Sequence, residues 1–178
     1  GCGNGDVVAM LERGNLGGKC ADLCSLYVGL ARASGLPARD VYGIRVAPSR
    51  FGYPSLGANT PDVTQAQHCR AEVWLAGLGW VPVDPADVRK VILEEGPGKL
   101  ALDHEKVEQA RTTLFGAWEM NWLPYNFAHD VRLPGSSGVP VADCIGVAPA
   151  RRAPNRKAAA TTPRGRVLPT RATTIPSK

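Results

Sequence analysis

Three residues have the types and spacing to do acyl chemistry. Cys20 follows "GNLGGK" and opens the run "CADLCSLYVGLARAS". A thiol at a helix N-terminus sits beside unpaired backbone N–H groups and the positive end of the helix dipole, which favours thiolate and gives a nucleophile near neutral pH. Lys19 adds a positive charge beside it. His68 lies in an alternating, strand-like segment and could exchange a proton with that thiol, while Asp84 on the partner strand could hold the imidazole tautomer. The backbone N–H of Cys20 is a natural oxyanion donor. Cys24 lies one turn further into the same helix, where the dipole effect has largely decayed, so Cys20 is expected to be the nucleophile.

Two rival chemistries use the same stretch. The glycine-rich turn ending in Gly18-Lys19 before a helix resembles a phosphate loop, but the glycine required five places before Gly18 is Arg13, and Cys20 replaces the magnesium-binding hydroxyl. Zinc could draw on Cys20, Cys24, His68 and Cys69. His68 and Cys69 are neighbours on a strand and point to opposite faces, so they do not share one tetrahedral site. No metal and no cofactor is expected.

The elements that must position these residues are legible in outline. "DVVAMLER" (6–13) reads as a short helix. From Cys20 to Ser34, Leu23, Leu26, Tyr27, Leu30 and Ala31 recur at helical spacing, and Gly35 then Pro37 supply the stop; this reads as a buried central helix. "DVYGIRVA" (40–47) reads as a strand, followed by a Gly/Pro/Asn-rich surface loop over 48–66. "HCRAEVWLAGLGWVPVDP" (68–85) reads as a β-hairpin turning at Gly77–Gly79, with Cys69, Ala71, Val73 and Leu75 toward the core and His68, Arg70, Glu72 and Trp74 on the other face. "LALDHEKVEQARTTLFGAWEMN" reads as a helix capped near Asp103, and the aromatic stretch after it leads to a last strand.

Hairpin register decides whether a triad can exist. A two-residue turn would set Asp84 opposite Ala71, on the wrong face for His68. An odd-length turn, pairing either Ala76 with Trp80 or Leu75 with Gly79, or a β-bulge, restores the face. An odd turn or a bulge is therefore expected, with Asp84 within about 3.2 Å of a His68 ring nitrogen.

The pieces "GGKCADLCSLYVGLARASGLPAR" and "HCRAEVWLAGLGWVPVDP", in that order over about residues 17–90, resemble the transglutaminase-like superfamily, papain-like in its triad. The continuation to "WEMNWLPYNFAHD" resembles bacterial members in particular. The resemblance implies an α+β fold in which a nucleophile-bearing helix packs on an antiparallel sheet. It implies Cys20 as nucleophile, His68 as general base and acid, and Asp84 as the orienting carboxylate. The substrate would be a protein or peptide carboxamide, the acceptor of the thioester either water or a primary amine. Only 19 residues precede Cys20, so the family's pattern also implies a fragment. Where that pattern implies an aromatic residue two places after the histidine, the chain has Arg70, expected to weaken one wall of the site. An inactive module of the same fold, used for binding or scaffolding, is the rival reading.

Composition bounds the remainder. The net charge is +5, but all 16 acidic residues and 13 of the 21 basic ones lie in 1–150, which is therefore −3. The other eight basic residues fall in 151–178, a Pro-rich stretch without an aromatic residue that is expected to be disordered and offers nothing to stack on bases. No specific nucleic-acid partner and no membrane span are expected. A catalytic core over 1–133 and a linker with basic tail over 134–178 is the expected division. Five widely spaced cysteines do not form an evident disulfide framework, and they leave the compartment undetermined.

Overall fold

A computed structural model describes residues 2–128 together with Pro134 and Gly135. The chain is α+β: helices α1 (Val7–Glu12), α2 (Cys20–Ala33), α3 (Pro85–Glu94) and α4 (Glu105–Thr113) accompany strands β1 (Ala38–Arg45), β2 (Gln67–Leu75), β3 (Gly79–Val83) and β4 (Trp122–Asn126). The strands form one antiparallel sheet in the order β3-β2-β1-β4. The division expected at 133/134 and the basic tail lie outside the described residues, Pro134 and Gly135 apart.

Helix α2 begins and ends where local chemistry dictates. At its start the Asp22 carboxylate accepts the Lys19 N–H at 2.9 Å and, through its other oxygen, the N–H groups of Asn4 and Gly5 at 2.8 and 2.9 Å. A Cβ at residue 18 would lie 2.5 Å from that of Asp22, which is why glycine stands just before Lys19-Cys20. At its end Gly35, at φ +84, lets its own N–H reach the Arg32 carbonyl and that of Leu36 reach Ala31, satisfying carbonyls the helix leaves open.

The helix is not buried all round. Ala21, Cys24, Ser25 and Val28 form its buried face, while Leu30 is exposed. That i, i+3, i+4, i+7 face of small side chains packs closely on Ala38, Tyr42, Cys69, Ala71 and Val73 of β1 and β2. The core face of β2 is thus the one alternation indicated.

The opposite face departs from expectation. His68 and Arg70 are as buried as the core residues, and only Trp74 at the far end is exposed. The cover comes from α3, a helix not read from the sequence, and from the segment leading into β4. Helices α3 and α4 share a second cluster of Val91, Ile92, Val107, Ala110 and Leu114 with Tyr53 and Leu56 of the long loop. Helix α4 is capped by His104, next to the expected Asp103, and ends at Thr113 with Leu114 as its C-cap.

The hairpin register is the second of the two odd alternatives. Leu75 pairs with Gly79 and Ala71 with Val83 across a three-residue turn, Ala76–Leu78. Gly77 and Gly79 take φ values of +84 and +83, which L side chains rarely adopt. Asp84 therefore arrives on the face of the sheet that carries His68.

Candidate active site

Asp84 is not a strand residue. β3 ends at Val83, and Asp84 is the N-cap of α3, with Pro85 at the first helical position. Its two carboxylate oxygens have separate tasks. Oδ1 accepts the Asp87 N–H at 2.9 Å and caps the helix. Oδ2 lies 2.9 Å from His68 Nε2 and accepts Arg70 Nε–H at 2.9 Å. The cap that starts α3 thus also aims the carboxylate at the histidine.

Around this contact sits a buried charged cluster. Asp87, one turn into α3, places Oδ1 3.3 Å from the same His68 nitrogen and pairs with Arg45 of β1. Arg70 donates from its NH1 to the Glu119 carbonyl at 2.7 Å, and its guanidinium stacks 4.7 Å over the Trp122 ring. The Trp122 indole N–H donates to the His68 carbonyl at 3.1 Å. Gly43, cross-strand from His68, has no room for a side chain because the Trp122 indole occupies that space. Arg70 is fully buried and ties β2 to Asp84, Glu119 and Trp122.

The charges set the protonation states. Burial alone favours a neutral His68 ring, but the carboxylates of Asp87 and Asp84 outweigh it and lift its pKa from 6.5 to about 9. Burial likewise opposes ionisation of Asp84, yet His68 and Arg70 hold its carboxyl down at about 2. For Asp87, burial and the neighbouring Asp84 charge act in the same direction and push it up to about 6. Both carboxylates engage Nε2 rather than Nδ1.

A histidine raised in this way makes stability depend on pH with a defined sign. Its contribution is fully present below pH 6.5 and is lost as pH rises through about 9. Asp87, raised to about 6, contributes a loss of the same sign that begins at lower pH, so the His68 part is read as the difference between the chain and its variant. Denaturant unfolding is expected to show a loss on the order of 3 kcal/mol between the two limits, absent in His68→Gln. An equally steep decline in that variant would assign the loss elsewhere.

Cys20 is the first residue of α2 and half-buried; Lys19 caps the helix from extended backbone. Its Sγ reaches the Cys2 carbonyl at 3.7 Å, and the Cys2 thiol lies 3.9 Å from the side-chain carbonyl of Gln67, the residue before His68. Cys20 also packs against the core cluster that includes Cys69, the residue after His68. The helix start and the histidine strand are thereby brought to one place. Cys24 points into the core, donates to the Cys69 carbonyl at 3.2 Å, and has its thiol pKa pushed well up by burial. Cys69 is raised to about 11 for the same first reason. Both are structural thiols.

Among the described residues, two sets of side chains have donor atoms close enough together for a metal: Cys24, Asp40 and Cys69 on the α2 face, and His68, Asp84 and Asp87 on the other. The mixed Cys–His set weighed from the sequence divides between these faces. In the second set the guanidiniums of Arg45 and Arg70 already balance both carboxylates, which makes a further dication electrostatically unfavourable. Among the described residues no helix is long and apolar enough to cross a membrane.

The sequence does not single out Arg45, Asp87 or Trp122 as site residues, and it places Arg70 only at a wall of the site. One signal was available: "DPADVRKVILEE" has an N-cap Asp, Pro at the first position, acid three residues after the cap, and Val88, Val91 and Ile92 at helical spacing.

Comparison with known proteins gives a family model, described as the transglutaminase-like superfamily, that matches residues 1–85. An uncharacterized protein of Haemophilus influenzae is 46% identical over 141 residues, covering 75% of this chain and 37% of that protein. The chain therefore spans well under half the length of this relative. No solved structure matches the chain.

Proposed function

Starting from a segment, residues 1–85, that belongs to the transglutaminase-like superfamily, we propose that the chain catalyses cysteine-dependent acyl transfer on protein or peptide carboxamides. The observation that carries this reading is the 2.9 Å contact of buried His68 Nε2 with Asp84 Oδ2, on the strand whose first residues meet the Cys20 end of α2. The Cys20 thiolate attacks the carboxamide carbon. The tetrahedral intermediate collapses with the C–N bond breaking, His68 delivers its proton to the departing nitrogen, and ammonia or an amine leaves behind a thioester. Neutral His68 then takes a proton from water or from a primary amine as that nucleophile attacks the thioester, and the thiolate–imidazolium pair is restored. Asp84 keeps the ring in register throughout.

Water as acceptor makes the chain an amidase or peptidase; a lysine amine makes it a cross-linker. Mass spectrometry of a glutamine-peptide library, incubated with the chain with and without a primary amine, separates the two. Conversion of amide to acid reports hydrolysis. Loss of ammonia with gain of the amine reports transfer. If neither product nor a Cys20-bound acyl group forms, the domain is an inactive binding module. The intact Cys, His and Asp favour the enzyme.

A further inference from the structure

His68 carries two carboxylates on one ring nitrogen, where the orienting role needs one. Nε2 lies 2.9 Å from Asp84 Oδ2 and 3.3 Å from Asp87 Oδ1, so a single N–H is shared between two acceptors. We infer that Asp87 is a second positioning residue for the reaction proposed above: Asp84 and Asp87 form a paired-carboxylate clamp on the His68 imidazolium, each carboxylate held by its own arginine.

The sequence positions make the clamp. Asp84 and Asp87 are the cap and the third residue of α3, so both side chains return to the first turn on one side. Asp84 spends Oδ1 on the Asp87 backbone and turns Oδ2 to the ring. Two buried carboxylates this close repel one another, and one would take up a proton without compensation. Arg70 from β2 lies on Asp84 and Arg45 from β1 on Asp87, with Arg70 NH2 also 3.8 Å from Asp87 Oδ2. These are the charged groups that face the ring from the elements packed on it: two acids from α3, one guanidinium from β1 and one from β2, the strand of His68 itself. The clamp favours imidazolium over imidazole and so favours thiolate over thiol at Cys20. Two acceptors side by side on Nε2 also restrict rotation of the ring plane and so fix the direction of Nδ1.

Removing one acid then has a signature that loss of packing does not. In Asp87→Asn the high-pH limb of kcat/KM, read as ammonia release from a glutamine peptide, should move to lower pH by about one unit, a tenfold change in the proton dissociation constant. The fall should appear in kcat, with KM for the peptide unchanged. Because D87N leaves Arg45 buried without its acid, R45Q/D87N is measured beside it. It should show a smaller shift of the same sign, since Arg45 itself pulls the His68 pKa down. NMR titration of His68 in the full chain carrying Cys20→Ala, with and without D87N, reads the clamp independently of turnover. A His68 that titrates at the same pH in both chains overturns the inference. A parent chain that releases no ammonia overturns the acyl-transfer reading instead, and with it the positioning role in that reaction.

Discussion

Cys20→Ala should abolish thioester formation and reduce amide turnover by a factor on the order of 10⁴ or more, the loss typical of removing a member of such a triad. Cys24→Ser should keep most of the activity. The reason is position. Cys20 is half-buried at the first turn of α2, where the helix dipole and Lys19 favour thiolate. Cys24 is fully buried one turn later, hydrogen-bonded to the Cys69 carbonyl, with its pKa raised by desolvation. Iodoacetamide at mildly acidic pH provides a second reading, because an activated thiol alkylates there and an ordinary one does not. One equivalent of label, lost in Cys20→Ala and kept in Cys24→Ser, is expected. Equal loss of turnover in the two variants would instead indicate a joint role for both cysteines.

Asp84→Asn should be the most damaging conservative change in the chain. Asparagine retains an oxygen that can cap α3 through the Asp87 N–H, so helix content should survive. What disappears is the negative charge that both His68 Nε2 and Arg70 Nε use. Arg70 has no exposed surface, and stranding a buried guanidinium costs about 3–5 kcal/mol. The orienting carboxylate is lost at the same time, with a fall in kcat on the order of 10⁴. The double variant R70M/D84N separates the two effects. Removing both charges should recover most of the stability measured by denaturant unfolding while leaving turnover as low as in D84N. Turnover within tenfold of the parent in D84N would remove Asp84 from the mechanism.

Much of the fold and half of the site could be read from local pattern. The α2 boundaries follow from Gly35 and Pro37 at one end and "GGKC" at the other. The side of β2 that packs on α2 follows from the alternation of Cys69, Ala71 and Val73, and the requirement for an odd turn follows from the need to place Asp84 and His68 on one face. Each of these is a property of a few consecutive residues: a backbone angle that only glycine accepts, a period of two or 3.6, a parity. They put Cys20 at a helix start and His68 and Asp84 within reach of each other.

The tertiary structure decided which charges those residues meet. Arg70 reads as a polar residue on the outer face of β2, and by its type it should be solvated there. It is buried because α3 and the approach to β4 close over that face, and it is tolerated because Asp84, the Glu119 carbonyl and the Trp122 ring come together on it from segments 14 to 52 positions away. Asp87 and Arg45 meet across 42 positions for the same reason. Such pairings carry no local signal, since a charged residue on a strand or in a first helical turn looks the same whether it ends in water or against another charge. The sequence by itself therefore determined a cysteine at a helix start, a histidine and an acid in workable order. The protonation state of that histidine was decided only when α3 delivered two carboxylates to one buried nitrogen and two strands supplied the arginines that keep them ionised.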